Sequence, residues 1–200
     1  MTNQELWHKR VTLTGKHVRL EPMTEDYIPA LAEAGRDPSI WRYMIYGQLT
    51  TRGDMGGWVR EMLNKQVEGT DLAFVVVSLK SGEIAGATRF LEMRPEHRSL
   101  EIGGTWYSPK YQHTIVNTEC KYLLLEYAFE VLGCIRVQFK ADVRNQRSLR
   151  AIERLGAQRE GLLRNHYILA DGTIRDSVYF SILDKEWLGV KTKLEGILER

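Results

Sequence analysis

Three groups of residues have the types and spacing to do chemistry. The first is the turn Ser108-Pro109-Lys110-Tyr111-Gln112-His113-Thr114-Ile115-Val116, which leads from a strand pattern into a helix expected over Asn117–Leu132. A helix amino end offers unpaired N–H groups and partial positive charge, which suits a phosphate or diphosphate, and Lys110, His113 and Lys121 add positive potential there. An ordinary strand-to-helix connection accounts for the same residues, and no glycine lies between Gly104 and Gly133 to let the backbone approach an anion. The second is Glu101, which interrupts the apolar Leu100 and Ile102 and falls on the opposite strand face from both. A solvent-facing carboxylate fits that position as well as a functional one. The Gly103-Gly104 pair that follows weakens a strand unless a bulge or a close backbone approach is wanted. The third is Asn145 with Ser148, placed as N-cap and N3 of a short helix, which is also ordinary helix-start chemistry.

Weaker signals surround these. Arg147, Arg150 and Arg154 share one helix face, as a solvated stripe or as a contact for an acidic group. His166, Tyr167, Arg175, Asp176 and Tyr179 lie on a terminal hairpin, where half-buried polar aromatics are common. Trp41, Tyr43, Tyr46 and Trp58 are large amphipathic side chains in and beside a loop-rich segment, suited to line a pocket or to pack; packing is the reading favoured for Trp58.

The elements that position these residues follow from periodicity. Val11–Met23 alternates as a strand or hairpin arm around Gly15, a helix capped by Thr24 runs to Gly35, and 36–57 is expected to be irregular before a helix over Trp58–Val67. Strands are expected at Asp71–Ser78, Glu83–Met93 and Ser99–Tyr107, the first two joined by a turn at Lys80-Ser81-Gly82. After the Asn117–Leu132 helix, which Gly133 ends, come a strand at Cys134–Val143, a helix from Asn145 to Leu155, strands at Gln158–Leu169 and Thr173–Leu183 around Asp171-Gly172, and a helical tail. The order βααβββαβαββα gives one mixed α/β domain, with a right-handed crossover in its central strand–helix–strand unit.

Composition bounds the partners. The chain has 200 residues, 43% hydrophobic and 27% charged, which fits one folded domain and weighs against disorder. A net charge of +2 spread without blocks demands no nucleic acid. The longest apolar run, Leu72–Val77, is far short of a membrane span, and the start lacks a signal-peptide pattern, so a cytoplasmic protein is expected. Cys120 and Cys134 have no ligand or redox spacing, so neither a metal nor a disulfide framework is expected.

Several of these segments together carry a resemblance. The strand Leu100-Glu101-Ile102-Gly103-Gly104-Thr105-Trp106-Tyr107, the turn Ser108-Pro109 and the helix opening Asn117-Thr118-Glu119 belong to it. So do Leu123-Leu124-Leu125, Tyr127-Ala128-Phe129, Asn145-Gln146-Arg147-Ser148, Leu155-Gly156-Ala157 and Glu160-Gly161. The ordered set, over about Val18 to Leu183, resembles the GCN5-related N-acetyltransferase (GNAT) superfamily and is similar to its RimJ/RimL-type ribosomal protein N-terminal acetyltransferases. The resemblance implies a single domain over residues 1–200, its first ten or so residues and C-terminal helix peripheral. It also implies a mixed, mostly antiparallel sheet of about seven strands, splayed between the fourth and fifth.

It further implies acetyl-CoA as acyl donor, attacked directly in a ternary complex by a primary amine, with a protein or peptide α-amine as first expectation. A small-molecule amine and a catalytically silent acyl-CoA-binding module are the alternatives. On this reading Glu101 is the base and Ser148 protonates the departing thiolate. Ile102, Gly103, Thr105, Trp106, Asn145 and Ser148 hold the pantetheine arm, and Gln112, His113, Thr114, Ile115, Val116, Asn117 and Thr118 hold the diphosphate. The family pattern Gln/Arg-x-x-Gly-x-Gly/Ala is matched here only at Gln112. Ile115 and Asn117 fill the small-residue positions, where a β-branched Ile115 is expected to crowd the diphosphate and resist a positive φ. Neither DNA nor a membrane is an expected partner, and a homodimer is left open.

Overall fold

The computed structural model describes residues Asn3–Glu199. Eight strands form one sheet: β1 (Leu13–Thr14), β2 (Val18–Pro22), β3 (Leu72–Ser78), β4 (Ile84–Arg94), β5 (Ser99–Tyr107), β6 (Arg136–Asp142), β7 (Gln158–Ile168) and β8 (Ile174–Leu183). Their order is β1-β2-β3-β4-β5-β6-β8-β7, and every pairing is antiparallel except β5 with β6. The extra strand relative to the expected seven arises at Gly15, where the first expected strand folds back as the β1–β2 hairpin.

The helices are α1 (Asn3–Trp7), α2 (Ile28–Ala34), α3 (Arg52–Val67), α4 (Ile115–Glu126), α5 (Gln146–Leu155) and α6 (Asp184–Leu198). Two of them begin earlier than periodicity indicates, and capping explains both. Thr51 and Asp54 form a reciprocal capping box, so α3 starts at Arg52 despite Gly53, Gly56 and Gly57. Burial of Met55, Trp58, Val59 and Met62 offsets the glycine cost. Thr114, rather than Asn117, caps α4: its hydroxyl accepts the Val116 N–H. The same helix widens into a π-turn over Tyr127–Val131.

Two apolar clusters pack on opposite faces of the sheet. One, under α4, α5 and α6, includes Phe74, Phe90, Ile102, Leu124, Phe139 and Phe180; the other, under α2 and α3, includes Met23, Trp41, Met55, Trp58 and Trp106. Both chain ends, expected to be peripheral, contribute to the first: Trp7 is 1% exposed, and Trp187, Val190 and Leu194 of α6 are buried. Large apolar side chains at these positions add core area that short terminal elements would otherwise lack.

Glu119 fixes α4 against the sheet edge. Its buried carboxylate accepts the backbone N–H groups of Lys16, His17 and Val18 at 2.8, 2.7 and 2.7 Å. Gly15 makes room for it, since an added Cβ there would lie 2.5 Å from the carboxylate carbon. Glu119→Gln replaces one carboxylate oxygen by an N–H₂ and so leaves at least one of the three backbone donors without its acceptor. The variant should lose about 2 kcal/mol or more, read as a melting temperature roughly 5 °C lower. An unchanged melting temperature would show that the hairpin is held by its strand pairing alone.

Candidate active site

β5 and β6 pair only from Ser99↔Arg136 to Glu101↔Gln138, then part. At the same level β5 departs from its register with β4: Arg89 faces Gly103 while Ala87 faces Trp106, leaving an extra residue in β5. Gly104 takes the bend at φ +57°, where a Cβ would meet Arg89 Nε at 3.0 Å and the Tyr46 hydroxyl at 3.1 Å. The expected bulge is therefore present, and it requires glycine. The opening leads into a cavity of about 830 Å³ lined by residues from both faces of the sheet.

On the α2–α3 face stands Glu101. It is 1% exposed, which overturns the reading of a solvent-facing carboxylate: alternation places it on its own face, and the loop and hairpin residues around the cavity cover that face. Lys140 Nζ lies 3.1 Å from its Oε2, and Gln138 Nε2 donates to the same oxygen at 3.2 Å. Burial pushes the Glu101 carboxyl above the usual carboxylate range, with Lys140 opposing. Lys140 also reaches Glu92 at 3.3 Å and sits over the rings of Tyr167 and Tyr179. A second buried pair, Arg89 with Asp71 at 2.9 Å, lines the same side beside Tyr46. Sequence reasoning missed Lys140. Its signal is the polar series Arg136, Gln138, Lys140 on alternate positions of β6, which the short parallel register sets beside Glu101.

The aromatic residues divide. Trp41, Trp58 and Trp106 pack together on this face, with ring centroids 5.0 and 6.1 Å from Trp106, so packing holds for Trp58 and extends to Trp41. Tyr43 and Tyr46 line the cavity, as do Tyr167 and Arg175 from the terminal hairpin. Arg175 donates to the Tyr43 carbonyl at 3.2 Å and so ties that hairpin to the loop before α3. The His166 ring packs at a tilt against Tyr167 and Tyr179, and Asp176 accepts the Asn165 N–H.

On the other face the cavity runs along the start of α4 to α5. Ile102, Gly103, Thr105, Trp106, Gln112, His113, Thr114, Asn117, Asn145 and Ser148 all line it, together with Glu101. Ile115, Val116 and Thr118 do not. Val116 and Thr118 are buried under the helix, and Ile115 is its first residue. The positive φ of this loop falls two residues earlier, on His113 at +59°, and Ile115 needs only helical backbone. The Gln112 side chain donates to the Tyr107 carbonyl at 2.9 Å and accepts from Arg147 of α5. Arg150 and Arg154 line the same wall. Asn145 caps α5 by accepting the Ser148 N–H at 3.1 Å, so the two are brought together as helix-start residues at the cavity edge. Among the described residues, no cluster of three or more His, Cys, Asp or Glu is placed to hold a metal.

The donors on this wall fit a phosphate-bearing ligand. They comprise a capped helix start, an amide, hydroxyls and the arginines of α5. Lys121 belongs to the same wall. It is 6% exposed, and burial pulls its ammonium down to about 8. An unfolded lysine titrates at about 10.4. Below pH 8 both states hold the proton and the cost of burying it is present in full. As pH rises from there through about 10.4, the folded chain has released a proton that the unfolded chain keeps, so stability increases. Lys121→Met should raise the melting temperature of the ligand-free protein by several degrees at pH 7 and by little at pH 10, as calorimetric scans would read. An equal change at both values would show that the ammonium is not what the fold works against.

Comparison with known proteins agrees with this geometry. Residues 17–158 match the acetyltransferase (GNAT) domain family. The chain is 33% identical over 113 residues to "Putative ribosomal N-acetyltransferase YdaF" of Bacillus subtilis, an alignment covering 56% of this chain and 61% of that one. A structure from T. thermophilus, titled as that of a "putative acetyltransferase", is 40% identical, covers 94% of this chain and 96% of its own, and superposes with TM-score 0.85. Mycobacterium smegmatis RimJ, solved in complex with CoA-disulfide, shares the fold at TM-score 0.81 and 18% identity, over 95% of this chain and 96% of its own. The chain belongs to the acetyltransferase (GNAT) domain family and is an acyltransferase.

Proposed function

We propose that the protein transfers an acetyl group from acetyl-CoA to a primary amine, and that the acceptor is a protein or peptide α-amine. The observation that carries this is the cavity passing between β5 and β6, with cationic and N–H donors on one face and Glu101 and Glu92 on the other. Acetyl-CoA supplies a thioester already activated toward amines. The backbone of β5 from Ile102 to Trp106, freed from β6, offers hydrogen-bonding groups to the pantetheine arm, and α4 and α5 hold the phosphates. Glu101 accepts the acceptor ammonium beside Lys140 and takes its proton. An α-amine titrates near ~8 and a lysine amine near ~10.4, so a carboxylate already shared with Lys140 suits the first better. Ser148 stands at the cavity edge as the proton donor to the thiolate, a leaving group that needs little help.

Glu101→Gln should lower turnover by roughly 10²-fold near pH 7 and recover much of it as pH rises and the amine deprotonates unaided. Ser148→Ala should cost less. Because Glu101→Gln leaves Lys140 only Glu92, thermal unfolding must accompany the assay. Full activity across the range about two units either side of the α-amine value would remove Glu101 as the base. Lys140→Met gives an independent reading. Without the ammonium the Glu101 carboxyl rises further, so the acid limb of kcat/KM should move to higher pH. A limb that stays in place would assign the titration to another group.

A further inference from the structure

Lys121 has no partner that explains it. Other cations on the cavity are better satisfied: Arg89 has Asp71 at 2.9 Å, Lys140 has Glu101 at 3.1 Å, and the buried Arg175 donates to the Ser177 hydroxyl and the Tyr43 carbonyl. The Lys121 ammonium donates only to the hydroxyls of Thr105 and, at 3.4 Å, Thr88, and no carboxylate pairs with it among the described residues. An ion removed from water without a counter-charge is costly. Its setting adds to the cost. Across the channel, Arg147, Arg150 and Arg154 raise the positive potential further. The loop that would hold an anion through glycine backbone has none here.

We propose that Lys121 is an anion-binding residue of the donor site, its ammonium neutralising the phosphates of acyl-CoA from beneath the first turns of α4. It does with a buried side-chain charge what a glycine loop does with close-approaching N–H groups. The proposal rests on the reading of the cavity as an acyl-CoA site. On this account the arrangement that costs the empty protein stability is relieved when the donor binds. Thr105 and Thr88 then act as positioning residues that hold the ammonium at the channel wall.

The test is calorimetric titration with CoA, and thermal shift with inorganic pyrophosphate, on wild type, Lys121→Met and Lys121→Arg. Lys121→Met should weaken CoA roughly 10- to 100-fold and abolish protection by pyrophosphate, while Lys121→Arg keeps part of both. CoA affinity equal to wild type in Lys121→Met would overturn the proposal. So would lost CoA affinity with pyrophosphate protection intact, which would place the lysine against the thioester arm. A wild type that binds pyrophosphate through Lys121 but not CoA would sink the acyl-CoA reading while leaving the anion site. Silence toward both would sink the two together.

Discussion

Everything at the site depends on β5 and β6 ceasing to pair after Glu101 and Gln138. A parallel pair satisfies its backbone groups only while the two strands run together, and the bulge at Gly104 turns β5 aside just where the pairing ends. Past that point β5 carries exposed backbone donors and acceptors into a cavity open to both faces of the sheet. Strand alternation then sorts the chemistry. Ile102 points into the core under α4, Glu101 and Lys140 point to the opposite face, and the start of α4 delivers N–H groups and cations to the first. One interruption of hydrogen bonding thus creates the space and sets the wall of helix-start donors and α5 arginines apart from the face that carries Glu101.

The buried charges show where folding and chemistry pull in opposite directions. Arg89 with Asp71 and Lys140 with Glu101 are ion pairs taken out of water, whose desolvation offsets much of their attraction. The indole nitrogens of Trp58 and Trp106 are buried with no hydrogen-bond partner among the described residues. Such groups are tolerated because Glu119, the two apolar clusters and the capped helices hold the frame independently of them. The site is a region of concentrated polar cost inside a frame that does not need it.

The frame was legible in the sequence because its signals are local. Alternation in Cys134–Val143, the Asp171-Gly172 turn and Gly133 and Gly156 as helix stops each act within a few residues. The helix starts were misplaced where two signals competed: glycines against the Thr51–Asp54 box, and Asn117 against Thr114. The candidate site was legible in its residue types but not in its environment. Alternation assigns Glu101 a face, yet it does not say that loop and hairpin side chains cover that face, and so it could not reveal that Glu101 is buried and paired. Lys140 was invisible for the same reason, since its partner lies 39 positions away in the chain. Lys121 was recognised as positive potential near a helix start, but its burial follows only from how α4 packs on β4 and β5.

The glycine-free loop marks the limit of reading a motif by position. Glycine in such a loop gives freedom of φ and lets backbone come close to a ligand. Here the freedom of φ is taken by His113, while Thr114 caps the helix and leaves Ile115 in ordinary helical backbone with its side chain outside the cavity. Ile115 is therefore not required to take a positive φ. The close approach, however, is not restored: an exposed histidine and a capped turn stand where bare backbone would lie. A loop in this form can still attract an anion, but it must do so through charge acting over several ångströms instead of N–H groups in contact. Charge of that kind is what the arginines of α5 and the buried lysine of α4 provide, and it tolerates a looser fit than a glycine cradle does.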